Sequence, residues 1–310
     1  MALKRRSSIR SVLGVCLVLI LGACGQAPTG RTATPREDPS ETTPLPPQPT
    51  RGDRDLDKPP PVTIRYAEQS SELEAWTYCF GNVCADGSPP ADLVDVGNVP
   101  EVFVEFPLPG WTFEASFTPS GEACGRVITV PLEQTGGGAS VLRPAGYADT
   151  YDVTLFGRGG GDLFVTFRWT TPTDGPLPKP EARLAVLADH DGGVDSYGVE
   201  LAISNLAETP KSATATVTVR AEDGDSLSFV AEQSNARCQA EGSIYWDGPD
   251  DEGLAAARLG GDSFIYEVEL LLNGVRHSAT ARWPEDEIRG NEPSVALEFE
   301  PPLPALEPRT

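Results

Sequence analysis

Cysteine is the residue type in this sequence best suited to chemistry of its own. Four of the six cysteines lie beyond residue 24: Cys79, Cys84, Cys124 and Cys238. Four cysteines allow three pairings. Cys79 and Cys84 flank a short turn-like stretch, so we expect a local disulfide there, and Cys124 would then pair with Cys238. In the alternative, Cys124 and Cys238 remain buried thiols. We do not expect a zinc site, because the spacing of the cysteines matches no zinc finger.

An acidic segment near the middle of the chain is the candidate metal site. Asp189, Asp191 and Asp195 bring three carboxylates close together in the sequence, and calcium prefers such oxygen ligands. No glutamate follows at the offset that an EF-hand loop needs. The segment therefore predicts either a calcium site or a solvated acidic turn. Residues 247–252 form a second acidic turn, for which the case is weaker.

No complete catalytic set is found in the sequence. The chain has only two histidines, and His277 falls on the predicted inward face of a strand, which favours a structural role. Gly261-Asp262-Ser263 resembles the nucleophile block of a lipase-like hydrolase family, but that family needs an α/β fold and this tripeptide opens a β-strand. The nucleophile elbow, the P-loop and the dinucleotide fingerprint are missing. We therefore expect no enzyme and no cofactor.

Aromatic residues near predicted loops are the candidates for ligand binding. Large aromatic side chains that stay exposed favour recognition of a partner, whereas buried ones only pack the core or an edge. The candidates are Trp76, Tyr78, Trp111, Tyr245 and Trp246.

The N-terminus has the layout of an export signal. Four basic residues precede an apolar run over residues 12–21, which is too short to span a bilayer comfortably. Leu21-Gly22-Ala23-Cys24 resembles the lipobox of bacterial lipoproteins. The resemblance covers residues 1–24 and implies cleavage after residue 23, a diacylglycerol on Cys24 and often a further acyl chain. Two or more chains give stable anchoring; the alternative is an ordinary signal peptide with an incidental cysteine.

Residues 24–61 have the composition of a disordered tether. They include ten prolines and few large apolar residues, so they cannot bury enough surface to offset the entropy of ordering. The net charge of −22 becomes about −26 once the four basic residues of the leader are removed. Such a charge disfavours nucleic acid and anionic lipid headgroups as partners. The expected membrane contact is therefore the lipid anchor alone.

From residue 62 onward the apolar residues alternate with polar ones, as in strands that bury one face. The pattern also repeats. Cys124 and Cys238 are 114 positions apart, and so are the tryptophans of the two Arg-Trp pairs, Trp169 and Trp283. Asn273-Gly274 predicts a type I′ hairpin, in which Leu270 would face His277 and Phe264 would face Trp283. The corresponding hairpin of the first copy has a longer, glycine-rich loop.

The paired strands with a tyrosine after an acidic residue resemble the last two strands of immunoglobulin-like domains. We therefore predict an all-β protein with two tandem immunoglobulin-like β-sandwich domains. Their expected bounds are residues 62–182 and 183–303, joined by a short linker and followed by a disordered tail over residues 304–310.

These features predict a lipid-anchored binding or scaffolding protein on the extracytoplasmic face of the cell membrane. The arginine excess and the overall design are similar to lipoproteins of high-GC Gram-positive bacteria. The expected partner is an envelope protein or a glycan, contacted through loops at the ends of the sandwiches. Two alternatives are a passive structural or stress-protective lipoprotein and an envelope hydrolase acting through Ser263.

Overall fold

The computed structural model describes residues 57–136, 138–187, 199–234, 238–288 and 293–309. Within these ranges the chain is all-β apart from one short helix, and it forms two immunoglobulin-like β-sandwiches in tandem, as predicted. Cys24 and the proposed tether up to residue 56 lie outside the described residues. So do Asp189, Asp191 and Asp195. No helix in the described ranges is long and apolar enough to cross a bilayer.

The first sandwich contains twelve strands in two sheets. They are β1 (Val62–Tyr66), β2 (Gln69–Leu73), β3 (Thr77–Phe80), β4 (Val83–Ala85), β5 (Asp95–Asn98), β6 (Val102–Glu105), β7 (Thr112–Pro119), β8 (Ile128–Pro131), β9 (Glu133–Gly136), β10 (Ala139–Leu142), β11 (Thr150–Arg158) and β12 (Gly161–Thr170). One sheet has the order β2-β1-β6-β10-β9. The other has the order β4-β3-β12-β11-β7-β8, with β5 pairing parallel to β12.

The second sandwich contains the remaining nine strands and the helix. They are β13 (Glu181–Ala185), β14 (Glu200–Ser204), β15 (Ala213–Ala221), β16 (Ser226–Gln233), β17 (Ile244–Asp247), α1 (Asp250–Ala257), β18 (Phe264–Leu272), β19 (Val275–Trp283), β20 (Glu287–Ile288) and β21 (Ser294–Ala296). The layers β19-β18-β15-β16 and β17-β14-β13-β21-β20 are joined at one edge, where β16 pairs with β17 over two residue pairs.

Strict alternation produces the two cores. On β11, Tyr151, Val153 and Leu155 are buried, while the residues between them are partly exposed. The same pattern on β18 buries Phe264, Tyr266, Val268, Leu270 and Leu272. Each sandwich encloses its own cluster of buried side chains, and this burial is the main term that stabilises such layers.

The predicted hairpin of the second sandwich is confirmed in register. Leu270 pairs with His277 and Phe264 pairs with Trp283. Asn273 and Gly274 both have positive φ, as a type I′ turn requires. In the first sandwich Arg158 pairs with Asp162, so that hairpin has three residues in its loop and not two. The glycine run lengthens the loop by only one residue, because β11 continues through Gly157.

The two sandwiches share the tyrosine of the penultimate strand but use its hydroxyl differently. The hydroxyl of Tyr151 donates to the carbonyl oxygen of Tyr147 four residues earlier, at 2.6 Å, which is the tyrosine corner of immunoglobulin-like domains. Burial, reinforced by the nearby charge of Asp149, raises the pKa of Tyr151 to about 12. The hydroxyl of Tyr266 instead accepts the backbone N–H of Leu187 at 3.0 Å, and burial raises its pKa as well.

Cys124 and Cys238 are separated by 114 positions, as are Trp169 and Trp283, which predicts that the two cysteines occupy equivalent positions in the two copies. This prediction is wrong. Tyr151 pairs with Pro119 in the first sandwich, and Tyr266 pairs with Val219 in the second. Val219 follows Pro119 by 100 positions, whereas Tyr266 follows Tyr151 by 115, so the second copy gains residues between these strands. Cys124 therefore lies between β7 and β8, while Cys238 lies one connection later, between β16 and β17.

Both predicted disulfides are present. Cys79–Cys84 closes the β3–β4 hairpin. Cys124–Cys238 joins the two sandwiches, with 5.2 Å between the Cα atoms. Both residues of this second bridge are exposed to solvent.

Next to the second bridge, the backbone N–H of Glu241 donates to the carbonyl oxygen of Cys124 at 3.2 Å. The side chain of Arg126 also crosses between the sandwiches, and we call this set of contacts the joint.

The C-terminal segment, residues 297–309, crosses from the second sandwich to the first. It pairs with β19 through mutual hydrogen bonds between Glu300 and Ser278, each 2.9 Å. Its last residues reach Tyr147, whose hydroxyl donates to the carbonyl oxygen of Glu307 at 2.6 Å and whose ring lies under the Arg309 guanidinium. Residues 304–309 were expected to form a disordered tail. The structure instead holds them against the body, because their backbone carbonyls find donors there.

Candidate functional site

Two of the five aromatic candidates are buried in the cores. Trp246 is 0% exposed on β17, and Trp111 is 9% exposed, with its ring 4.7 Å from that of Phe106. Trp111 also packs over Gly159, where a Cβ would lie 2.7 Å from the indole ring. These two rings therefore offer almost no surface to a ligand, and their place in the fold is core packing.

The other three candidates are half-buried. Tyr78 packs against the core of the first sandwich, opposite Leu163 of β12. Tyr245 lies on the outer side of β17, where its hydroxyl contacts the carboxylate of Glu200. Trp76 covers the outer face of β12, and its indole N–H donates to the hydroxyl of Thr166 at 3.1 Å.

Trp76 belongs to an aromatic stripe that the sequence analysis missed. Its ring lies 5.7 Å from that of Phe164, which stacks on Phe156 across the β11–β12 pair at 4.7 Å. The Arg158 guanidinium lies 5.1 Å from the Phe156 ring. The stripe was detectable from the outward positions of two paired strands, but Phe156 and Phe164 only face each other once the hairpin register is known.

The residues considered for catalysis do not form a catalytic set. The Ser263 hydroxyl lies 3.4 Å from the Glu222 carboxylate, an exposed contact. In the described part of the chain, no group of three or more His, Cys, Asp or Glu side chains is arranged to hold a metal ion. This covers Asp247 at the end of β17 and Asp251 in α1, two residues of the segment that was expected to be a second acidic turn.

One concave feature at a sandwich end is a cavity of about 490 Å³ in the second sandwich. Three parts of the chain surround it: the β14–β15 loop, the tip of the β18–β19 hairpin and the C-terminal segment. We call it the loop-end cavity. Its lining includes Leu206, Glu208, Leu272, Val275, His277 and Pro302. Volumes of 300–1,000 Å³ with mostly apolar walls and a few polar groups are typical of small-molecule sites.

His277 supplies the buried polar group of the cavity. Its side chain is 3% exposed on the inward side of β19, as expected from the alternation. Nδ1 lies 2.7 Å from the carbonyl oxygen of Pro301. Because a carbonyl only accepts, Nδ1 must carry the hydrogen, and Nε2 is then the acceptor in the neutral ring. No hydrogen bond to Nε2 is found among the residues that the structure describes.

Hydrogen bonds fix the walls of the cavity in place. The backbone N–H of Ala207 donates to the carbonyl oxygen of Pro304 at 2.9 Å, which ties the β14–β15 loop to the C-terminal segment. The side-chain oxygen of Asn273 accepts the backbone N–H groups of Lys211 and Ser212, at 2.9 and 3.2 Å. This ties the same loop to the hairpin tip. The cavity is therefore preformed, which lowers the entropic cost of binding.

The sequence predicts contacts through loops at the sandwich ends but does not single out these residues. His277 carried a usable signal, since a polar residue facing inward near a hairpin tip needs a partner. Glu208 and Pro301 carried none, because only the folded chain brings them to the same end.

Comparisons with known proteins add little to this description. No protein-family model matches the chain, and no curated protein is significantly similar to it. A crystal structure of the chicken CNTN1 FN1-FN3 domains is similar over 72% of this chain and 90% of that chain, with 12% sequence identity and a TM-score of 0.19. The fold assignment rests on the strand order and not on this similarity.

Proposed function

We propose that this protein is a lipid-anchored binding or scaffolding protein on the outer side of the cytoplasmic membrane. The observation that carries the proposal is the loop-end cavity, a preformed concave site between the β14–β15 loop, the β18–β19 hairpin and the C-terminal segment. In immunoglobulin-like variable domains the corresponding connections form the binding end. In this proposal the two sandwiches expose the loop end to a partner. The lipid anchor is Cys24, as its resemblance to a lipobox cysteine implies.

Disulfide chemistry supports an exported location. Disulfides persist outside the cytosol and are rare within it, and the body has two, Cys79–Cys84 and Cys124–Cys238. The strongly acidic composition argues against nucleic acid as a partner. The described candidate residues are buried or make contacts with structural partners, and this arrangement supports a non-catalytic role.

The anchor is tested by expression in a bacterium that processes lipoproteins. The wild-type protein should fractionate with membranes, and mass spectrometry should find an acylated Cys24 at the new N-terminus. Cys24→Ala should remove the acyl mass. Cys16→Ala is the matched control, since Cys16 lies inside the leader and its loss should change nothing. A mature protein without an acyl group would overturn the anchor.

Binding at the loop end is tested by pull-down from solubilised envelope. Val275→Asp places a charge at the rim of the cavity, where Val275 is 52% exposed. Val230→Asp is the matched control, because Val230 is also largely exposed, at 62%, and lies outside the cavity lining. We expect Val275→Asp to lose partners that the wild type and the control retain. Equal recovery by all three would contradict a binding role for this end.

A passive structural lipoprotein is the second candidate, and the joint favours it. The two sandwiches are fixed to one another by the disulfide and Arg126 of the joint and also by the C-terminal segment. Such a rigid body suits a protein that acts through its size alone. This role tolerates Val275→Asp without any phenotype, whereas a binding role does not.

A further inference from the structure

We propose that the loop-end cavity binds a small amine, that is, a cationic nitrogen attached to an apolar body. This inference rests on the proposed binding role of that end and adds the class of ligand. Leu206, Leu272, Val275 and the prolines of the C-terminal segment give the cavity a mostly apolar surface, which favours the hydrocarbon part of a ligand.

The polar groups of the cavity determine which polar end of a ligand can bind. In the neutral ring of His277, Nε2 is the acceptor, because Nδ1 donates to the carbonyl oxygen of Pro301. The carboxylate of Glu208 accepts hydrogen bonds only, and it is the one charged side chain in the described lining. The side-chain oxygen of Asn273 is already occupied by two backbone N–H groups, and its NH2 group is a donor. The two remaining acceptors, His277 Nε2 and the Glu208 carboxylate, favour a ligand that offers donors.

The negative charge of the protein also favours one class of ligand. Glu208 puts a negative charge at the wall, and the whole chain carries a net charge of −22, so an anionic ligand is repelled and a cationic one is attracted. Ammonium groups supply three N–H donors and no acceptor, which matches acceptors in the wall. A neutral alcohol can use the apolar walls and donate one hydrogen bond, but it lacks the attraction between opposite charges that an ammonium group has with the carboxylate.

The test is isothermal titration calorimetry of the full chain, solubilised in dodecyl maltoside, with three probes of the same shape. These are 2-phenylethylamine, 2-phenylethanol and 3-phenylpropionate. We expect the amine to bind about tenfold more tightly than the alcohol, which corresponds to about 1.4 kcal/mol, and the carboxylate not to bind. Equal affinity for amine and alcohol, or binding of none of the three, overturns the proposal.

Two variants assign the effect to the cavity. Glu208→Gln should remove the preference for the amine while leaving the binding of the alcohol unchanged. Glu298→Gln is the matched control, since Glu298 is exposed and lies on the C-terminal segment, outside the cavity lining. Loss of preference in both variants, or in neither, contradicts the assignment. His277→Leu should weaken the amine and the alcohol alike, and a thermal melt checks that it folds.

The outcome is separable from that of the proposed function. Acylation of Cys24 and the Val275→Asp pull-down do not depend on which small molecule occupies the cavity. If the amine fails while those tests succeed, the end binds a ligand of another class.

Discussion

Arg126 of the first sandwich donates a hydrogen bond from Nη1 to the backbone carbonyl oxygen of Leu206 in the second, at 2.7 Å. Its Nη2 reaches the carbonyl oxygen of Ala207 at 3.0 Å and the carboxylate of Glu241 at 3.2 Å. The arginine is only 8% exposed. One buried cation thus satisfies three acceptors of the other sandwich, and two of them are at the base of the β14–β15 loop.

Arg126→Met should destabilise the protein by about 2–4 kcal/mol, because buried carbonyl groups lose their donor. Urea unfolding measures this change. Arg65→Met is the control, since the Arg65 side chain is 53% exposed in its ion pair with Glu105 and such surface pairs contribute about 0–1 kcal/mol. Equal effects of the two substitutions would show that the joint does not depend on Arg126.

Removing the bridge between the sandwiches should cost more than removing the local one. Loop-closure entropy predicts a loss of about 5 kcal/mol for Cys124→Ser with Cys238→Ser, whose loop spans 114 residues. It predicts only about 2 kcal/mol for Cys79→Ser with Cys84→Ser, whose loop spans five. Urea unfolding of the two double variants gives the comparison. The reverse order would contradict the entropic account.

The stability of the protein should fall at high pH because of Tyr151. Burial raises its folded-state pKa to about 12, above the value near 10 of an unfolded chain. The folded state therefore holds this proton more tightly. The stabilisation is complete below pH 10 and is lost as the pH rises from 10 towards 12.

Tyr151→Phe isolates this contribution to the pH dependence. The variant should be less stable at neutral pH by about 1–2 kcal/mol, because the carbonyl of Tyr147 loses its donor. It should also lose stability less steeply between pH 10 and 12 than the wild type does. Denaturant midpoints across this range check both statements, and parallel curves would contradict the role of Tyr151.

Asn273→Ala should loosen the β14–β15 loop. It removes the acceptor of the Lys211 and Ser212 amides, and alanine tolerates the positive φ of 48° less well than asparagine or aspartate does. We expect a loss of about 1–3 kcal/mol and faster hydrogen exchange at these two amides. Asn273→Asp keeps an acceptor and should retain most of their protection. Unchanged exchange in the alanine variant would refute this role.

The strands and their buried faces were predictable because the alternation of apolar and polar residues is visible over a few neighbouring residues. The turn residues Asn273 and Gly274 fix the register of their hairpin, and every pairing from Leu272–Val275 outward follows from that single choice. Alternation on β17 also buries Trp246 beside Ile244, so the burial of this candidate ligand residue could have been predicted from the same rule.

The candidate site was much less predictable, for two physical reasons. Contacts such as Arg126 with Leu206 join loops 80 residues apart, and no periodicity encodes which loops meet. The walls of the cavity also depend on backbone carbonyls, such as that of Pro301, which every residue possesses. A proline-rich segment gives no apolar alternation, yet its carbonyl groups can still be captured by donors such as Ala207 and Tyr147.

The return of the C-terminal segment to Tyr147 has a mechanical consequence. The segment leaves the second sandwich and reaches the first, where Arg309 covers the Tyr147 ring. A force that pulls the two sandwiches apart is therefore shared among the covalent connection, the Cys124–Cys238 disulfide and the C-terminal segment, which act in parallel.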